Sequence, residues 1–203
     1  MNREFGGPTR LGMIIIGVIF FLIVAGLFYF IVGGGGGGNE EGLSTEEKNR
    51  RLVTTIHSGR SVRMTVYGPI VANEDRQSYE ITVSTSSRRF AGFTGYSQTQ
   101  VASKDLDNTY EGYQQFVYAL QRAGFDKERT VSEDKADDRG ACSSGKRYVY
   151  ELFENGDSIK RVWTTTCGNA KGTFGGTNSV TRDLFNRQIP DFKTVIKPLS
   201  QFR

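Results

Sequence analysis

The longest uninterrupted apolar pattern in the chain is Leu11–Val32, LGMIIIGVIFFLIVAGLFYFIV, which holds no charged or amide side chain. At 1.5 Å per residue this run rises about 33 Å, enough to cross a hydrocarbon core of roughly 30 Å. It exceeds the apolar core of a secretory signal peptide, about 7–15 residues, and its only small-residue exit is Gly33–Gly38. The pattern therefore predicts an uncleaved membrane anchor. Arg3 and Arg10 precede the span, while the first charges after it are Glu40 and Glu41. The positive-inside rule then places the N-terminus in the cytoplasm and the C-terminal part outside. Consecutive glycines at Gly33–Gly38 cannot hold a helix or pack a core, and a flexible stretch over 33–42 spans about 17 Å end to end. The expected division is a cytoplasmic tail at 1–10, a transmembrane helix at 11–32, a glycine-rich linker at 33–42 and one extracytoplasmic domain at 43–203.

Beyond the tether the apolar pattern becomes periodic. Ser44-Thr45-Glu46-Glu47 has the form of a capping box, and Leu52, Val53 and Ile56 share one side of a short helix closed by Gly59. Over Arg60–Tyr67, Val62, Met64 and Val66 alternate with Arg63, Thr65 and Tyr67, the period of a half-buried strand. Tyr79, Ile81 and Val83 repeat it against Glu80, Thr82 and Ser84, with turn chemistry at Gly68-Pro69 and Asn73–Asp75 between. A third, less apolar strand is expected at Gly95–Val101, completing an antiparallel meander. Asn108-Thr109-Tyr110-Glu111 is a second capping box, opening a helix whose Tyr110, Tyr113, Phe116, Val117 and Leu120 form a stripe that packs on the sheet before Gly124 stops it. Asp126–Gly140 carries charges of both signs and reads as a solvated loop. Its Asp134, Asp137 and Asp138 lack the ligand spacing, central glycine and closing glutamate of a calcium-binding EF-hand, so no metal is predicted.

Arg147–Phe153 and Ser158–Thr166 flank Asn155-Gly156, the strongest short hairpin signal. A two-residue turn pairs Leu152 with Ile159, Glu151 with Lys160, Val149 with Val162 and Tyr148 with Trp163, all compatible partners. Cys142 and Cys167 fall at the open end of this hairpin and are expected to form a disulfide. That register places Ser144 opposite Cys167, so the bridge requires a two-residue offset, assigned to a bulge at Ser143-Ser144-Gly145. Gly168–Gly176 is a turn-rich loop without the Lys-Ser/Thr pair of a P-loop. It leads into a last helix at about Asn178–Gln188, with Val180, Leu184 and Phe185 facing inward, and an edge strand at Lys193–Ile196. The fold class is thus α+β: an anchor followed by a meander, a packed helix, a disulfide-clamped hairpin and a C-terminal helix.

The formal charge of +4 over 203 residues is a mild basic balance, which argues against a dedicated nucleic-acid binder. His57, the one histidine, has no nucleophile elbow to serve, and with two cysteines it makes too small a set for zinc. Glu46/Glu47 and Asp137/Asp138 are adjacent in sequence, so on regular structure their side chains diverge. No cofactor is indicated. Arg60, Arg63, Arg76, Arg88 and Arg89 fall in the meander, interleaved with Ser, Thr and Tyr, and form a candidate binding patch for anionic headgroups, an acidic envelope polymer or a protein partner.

Gly12, then Met13 and a long apolar helix ahead of a sheet-rich domain with a late disulfide, resemble in layout the type IV pilins and pseudopilins, which implies a pilin-like subunit. Two features depart from that pattern. Gly17, five positions after Gly12, stands where those proteins carry Glu, and Gly33–Gly38 interrupts the helix that would continue into the head; the family is not assigned. The leading expectation is a non-catalytic binding or interaction module anchored at the cell envelope, and the alternative is an envelope-associated hydrolase whose residues meet only in three dimensions. External protease added to intact cells should digest the C-terminal domain and leave the anchor; protection until detergent is added would reverse the orientation.

Overall fold

The computed structural model describes residues 43–168 and 170–203. The expected tail, span and tether lie outside them. Among the described residues no helix is long and apolar enough to cross a membrane.

Ser44 caps α1 (Thr45–Thr54), its hydroxyl accepting from the Glu47 amide at 3.2 Å. Four strands follow, β1 (Arg60–Tyr67), β2 (Gln77–Ser84), β3 (Ser87–Thr94) and β4 (Thr99–Asp107). After them come α2 (Tyr110–Arg122), β5 (Arg147–Glu154), β6 (Asp157–Thr165), α3 (Asn178–Asn186) and the single turn α4 (Phe192–Val195). The strands form one antiparallel sheet in the order β4-β3-β2-β1-β5-β6. The meander runs outward to β4, and α2 carries the chain back so that β5 lies beside β1.

Strand alternation decides the two faces. Val62, Met64 and Val66, with Tyr79, Ile81, Val83 and Phe90, face the helices and pack with Val53, Tyr113, Val117, Leu120 and Phe185 in one core. Tyr150 of β5 lies in it, its ring 4.8 Å from Phe174 and 6.0 Å from Phe185, and its hydroxyl donates to Asn178 Oδ1 at 2.7 Å. The polar end of a buried ring is thereby satisfied at the start of α3. At Gly92 a Cβ would lie 2.9 Å from Leu199 Cδ1, so the missing side chain admits the C-terminal segment onto β3.

Several expected boundaries move. Of the expected strand at Gly95–Val101, Thr99–Val101 opens β4, whereas Gly95 (φ 73°) and Gln98 (φ 58°) are left-handed and turn β3 into it. Thr109, not Asn108, caps α2 by accepting from the Gly112 amide at 3.0 Å, while Asn108 Nδ2 donates to the Ser84 carbonyl at 2.6 Å. Tyr110 is exposed, so the buried stripe of α2 starts at Tyr113. Val180 faces outward, and Thr181 and Phe185 are the residues α3 buries. Lys193–Ile196 falls in α4 and the residue that follows it, where Phe192 packs on Tyr79 and Phe90 and draws the backbone into a helical turn. Within Asp126–Gly140, Asp126 is buried beside α2, accepting from Gln121 Nε2 at 3.3 Å, and Asp138 is buried where the loop folds onto the sheet.

Asn155 (φ 52°) and Gly156 (φ 96°) form the hairpin tip in the left-handed pair that a type I′ turn requires. The register beyond it differs by one residue from the simple ladder. A bulge leaves Ile159 without a partner, and the pairs become Leu152 with Lys160, Glu151 with Arg161, Tyr150 with Val162, Val149 with Trp163 and Tyr148 with Thr164. A slip of one flips every side chain to the other face. Without the bulge Arg161 would enter the core beside Tyr150; with it Val162 does.

The bulge widens the cysteine offset from two residues to three. Continuing the observed register puts Gly145 opposite Cys167, and Cys142–Gly145 is a turn, with the Gly145 amide donating to the Cys142 carbonyl at 3.3 Å. Cys142 (φ 57°) thus reaches back to Cys167, and the disulfide forms with Cα atoms 5.6 Å apart. The offset is absorbed by that turn alone, not by a bulge at Ser143–Gly145. A Cβ on Gly145 would lie 2.5 Å from Cys142 Sγ, so glycine is required beneath the bridge.

The bridge spans 25 residues, for which the chain-entropy model gives about 3.5 kcal/mol. Replacing both cysteines with serine should lower the melting temperature of the purified protein. Reductant should lower it in the native sequence and leave the double variant unchanged; equal reductant sensitivity in both would remove the clamp.

Candidate functional site

The sheet face opposite the helices carries the alternate set: Arg63, Thr65 and Tyr67, then Ser78 and Glu80, then Arg147, Val149 and Glu151, then Arg161 and Trp163. One face of an antiparallel sheet is commonly wet. Here Thr65, Ser78, Ala91, Val149 and Glu151 are all buried. Bulges at Gly92/Phe93 and Leu152/Phe153, one on each flank, add local twist. The loop before β5 also crosses this face. Trp163 Nε1 donates to the Ala136 carbonyl at 2.8 Å, and Asp138 binds Arg147 at 3.0 Å and Arg161 at 2.8 Å.

What remains open is a polar groove in two continuous parts. One, about 200 Å³, is lined by Arg63, Thr65, Glu80, Glu151 and Arg161; the other, about 280 Å³, by Ile70, Arg76, Tyr96, Arg139 and Arg147. Tyr67, Ser78 and Gln98 border both.

In the first part charge alternates from strand to strand. Glu80 lies 3.9 Å from Arg63, which donates Nε and Nη2 to Glu151 Oε2 at 3.1 and 2.8 Å. Glu151 faces Arg161 at 4.0 Å. Register dictates this ladder, since Arg63, Glu151 and Arg161 are direct cross-strand partners.

The second part is different. Arg76 is 7% exposed, its guanidinium carbon 5.3 Å from the ring centres of both Tyr67 and Tyr96, and it donates Nη1 to the Gly68 and Pro69 carbonyls at 2.6 and 3.0 Å. Among the described residues it has no carboxylate partner. Burial draws its pKa below the ordinary guanidinium value, and the nearby Arg147 charge acts in the same direction. Burial likewise raises the Tyr67 phenol, keeping that ring a neutral wall between Arg76 and Arg147.

Of the five arginines singled out in the sequence, the fold brings Arg63 and Arg76 to the groove and leaves the others apart. Arg60 shares the parity of Val62 and points to the helical side, bonding to the Leu52 carbonyl, His57 and Glu154. Arg88 is on that side too, held by the carbonyls of Asp107 and Gln188. Arg89 shares the open face with Arg63 but pairs with Asp105 at 3.6 Å outside the groove. Sequence reasoning missed Tyr67, Tyr96, Arg147, Glu151 and Arg161 as groove residues. The alternation of Arg147, Val149 and Glu151 against Tyr148, Tyr150 and Leu152 carried a signal for two of them; Tyr96, in a turn, carried none.

His57 lies outside the groove, 2.8 Å from Glu154 Oε1, with Arg60 and the Gly59 amide as its other partners. Among the described residues no group of three or more His, Cys, Asp and Glu side chains is placed to hold a metal ion. The chain matches no known protein-family model and no curated protein.

Glu151 is the hub of the ladder. Replacing it with Gln should destabilise the protein by about 1–3 kcal/mol, because two guanidiniums lose their shared anion. In a double-mutant cycle with Arg63→Gln, chemical denaturation should return a coupling of about 0.5–3 kcal/mol; strict additivity would mean that the ladder contributes nothing.

Proposed function

We propose that this chain is a membrane-anchored, extracytoplasmic binding module, not a catalyst, which holds a ligand in the polar groove on the open face of its sheet. The observation that carries the reading is Arg76, a buried guanidinium that among the described residues has no carboxylate, in a groove where each neighbouring arginine has one. Removing an unpaired charge from water costs several kcal/mol, and a ligand's negative charge offsets that cost on binding. Placement outside the cell is supported by the apolar run at 11–32, its flanking charges, and the Cys142–Cys167 disulfide, which persists in oxidising compartments.

The alternatives draw less support. Glu80 and Glu151 are carboxylates lining the same part of the groove, but Arg63 lies between them and binds both, which makes an ion-pair network and not the separate acid and base of a hydrolase. An extended polyanion would need unpaired cations on one surface, and Arg60, Arg63 and Arg89 each face a carboxylate.

A fragment screen of small acids, bases and neutral molecules against the full chain in lipid nanodiscs tests the reading by backbone amide NMR. Shifts should gather at Thr65–Tyr67, Ser78–Glu80 and Gly95–Gln98. Hits that map only to the helical face would show that the groove is a structural feature and that binding, if any, lies elsewhere.

A further inference from the structure

Arg76 has five N–H groups, and its protein partners engage only those on Nη1. Nε and Nη2 have no partner among the described residues, and Arg76 lines the open groove. These two atoms form the side-on edge of the guanidinium. The same edge of Arg63 grips Glu151 at 3.1 and 2.8 Å, so the protein already uses it once on a carboxylate.

The surroundings narrow what could occupy that edge. Four of the five arginines lining the groove are bound by carboxylates: Arg63 by Glu151 and Glu80, Arg139 by Asp137, and Arg147 and Arg161 by Asp138. The surplus is a single positive charge, located on Arg76. A monoanion matches it; a phosphate dianion would call for a second free cation. The same part of the groove is bordered by Ile70 and Tyr96, which are 45% and 54% exposed and are the large apolar surfaces there. Both are fixed in place. The Tyr96 hydroxyl donates to the Val71 carbonyl and its amide to Asn73 Oδ1, each at 2.9 Å, and the Ile70 amide donates to the Ser143 carbonyl at 2.7 Å.

We propose that the Nε/Nη2 edge of Arg76 anchors the carboxylate of a ligand whose neighbouring carbon carries an apolar group, the carboxylate binding side-on and the apolar group lying against Ile70 and the Tyr96 ring. Free N-acylated amino acids and peptide C-termini share this chemistry. The proposal rests on the groove reading above and adds the ligand's charge and shape to it.

The test uses the full chain in nanodiscs and four probes: N-acetyl-leucine, its neutral primary amide, acetate, and acetyl-Ala-Ala-Leu with a free carboxylate. N-acetyl-leucine should shift the Arg76 Nε–H and the Ile70 and Tyr96 amides. The neutral amide and acetate should each bind at least tenfold more weakly, one lacking the charge and the other the apolar group. Tighter binding of the tripeptide acid than of N-acetyl-leucine assigns the site to chain termini, and equal binding assigns it to free acids. Arg76→Lys keeps the charge but loses the fork and should bind at least tenfold more weakly; Ile70→Ala, at an exposed position, should weaken binding several-fold without altering the fold. Should Arg76→Lys fail to fold, the acid–amide comparison and Ile70→Ala still decide. Equal binding of acid and amide, or an Ile70→Ala variant that binds as the native protein does, overturns the proposal. If neutral probes shift Thr65 and Glu80 and leave Arg76 unmoved, the carboxylate assignment fails and the groove reading stands. If no probe shifts any residue of the open face, both fail.

Discussion

Ile159 has no partner across the β5–β6 hairpin, and that unpaired residue decides which face each later side chain of β6 occupies. The hairpin tip is fixed by Asn155 and Gly156, so the slip must occur within the ladder. Its consequence is a trade: Val162 joins Tyr150 in the core, Arg161 joins Glu151 on the open face, and Trp163 follows Arg161 outward. Exposing an indole would be costly. The loop before β5 covers it, the Ala136 carbonyl accepting from Trp163 Nε1 and Asp138 binding Arg161. Gly172 completes the cover from the other side, at a position where a Cβ would enter the indole ring. One unpaired residue therefore accounts for the loop path and the ion-pair ladder, while the disulfide is closed by the Cys142–Gly145 turn.

The open face that results is an unusual surface for a sheet, dry enough to bury Thr65, Ser78 and Val149 yet lined by charge. Charges in such a place are stable only when paired and hydrogen-bonded. Arg63, Glu151 and Arg161 meet that condition through strand register, and Asp138 joins them from the loop before β5. Arg76 meets it differently, through two backbone carbonyls and two aromatic rings. Carbonyl dipoles and ring faces stabilise a cation without cancelling its charge. That distinction separates the half of the groove whose arginines are neutralised from the half where, among the described residues, one arginine has no carboxylate.

Local signals made much of the architecture legible in the sequence. Alternation in β1 and β2, the Ser44 cap, the Asn155-Gly156 turn and the two cysteines each depend on residues close in the chain. β3 and β4 were harder to read because Arg88, Arg89, Lys104 and Asp105 interrupt an apolar alternation that the sheet's outer strands do not need. The hairpin register escaped because both alignments offer chemically sensible pairs, and the choice between them belongs to the core, where Val162 and not Arg161 fits beside Tyr150. The groove was the least legible part. Arg76 and Tyr96 lie in separate turns, and they meet only because β2 pairs with β3, a pairing that the Gly95 amide extends by donating to the Arg76 carbonyl at 2.8 Å.

The disulfide gains a further meaning from this geometry. Cys142 is followed by Ser143, whose carbonyl accepts from the Ile70 amide at 2.7 Å, and Ile70 borders the groove beside Arg76. Arg139 and Gly140, which line the same part, lie three and two residues before the bridge. The covalent link at the base of the hairpin thus reaches the groove wall through one backbone hydrogen bond and a few residues of chain. Loops are ordinarily the mobile parts of a fold. Here the bridge, the Asp138 ion pairs and the Trp163–Ala136 bond fix the loop at three places, so the wall facing Arg76 is set before any ligand arrives. A preformed wall lowers the ordering cost of binding, which is what the proposed recognition by a single guanidinium and two exposed apolar side chains requires in so shallow a groove.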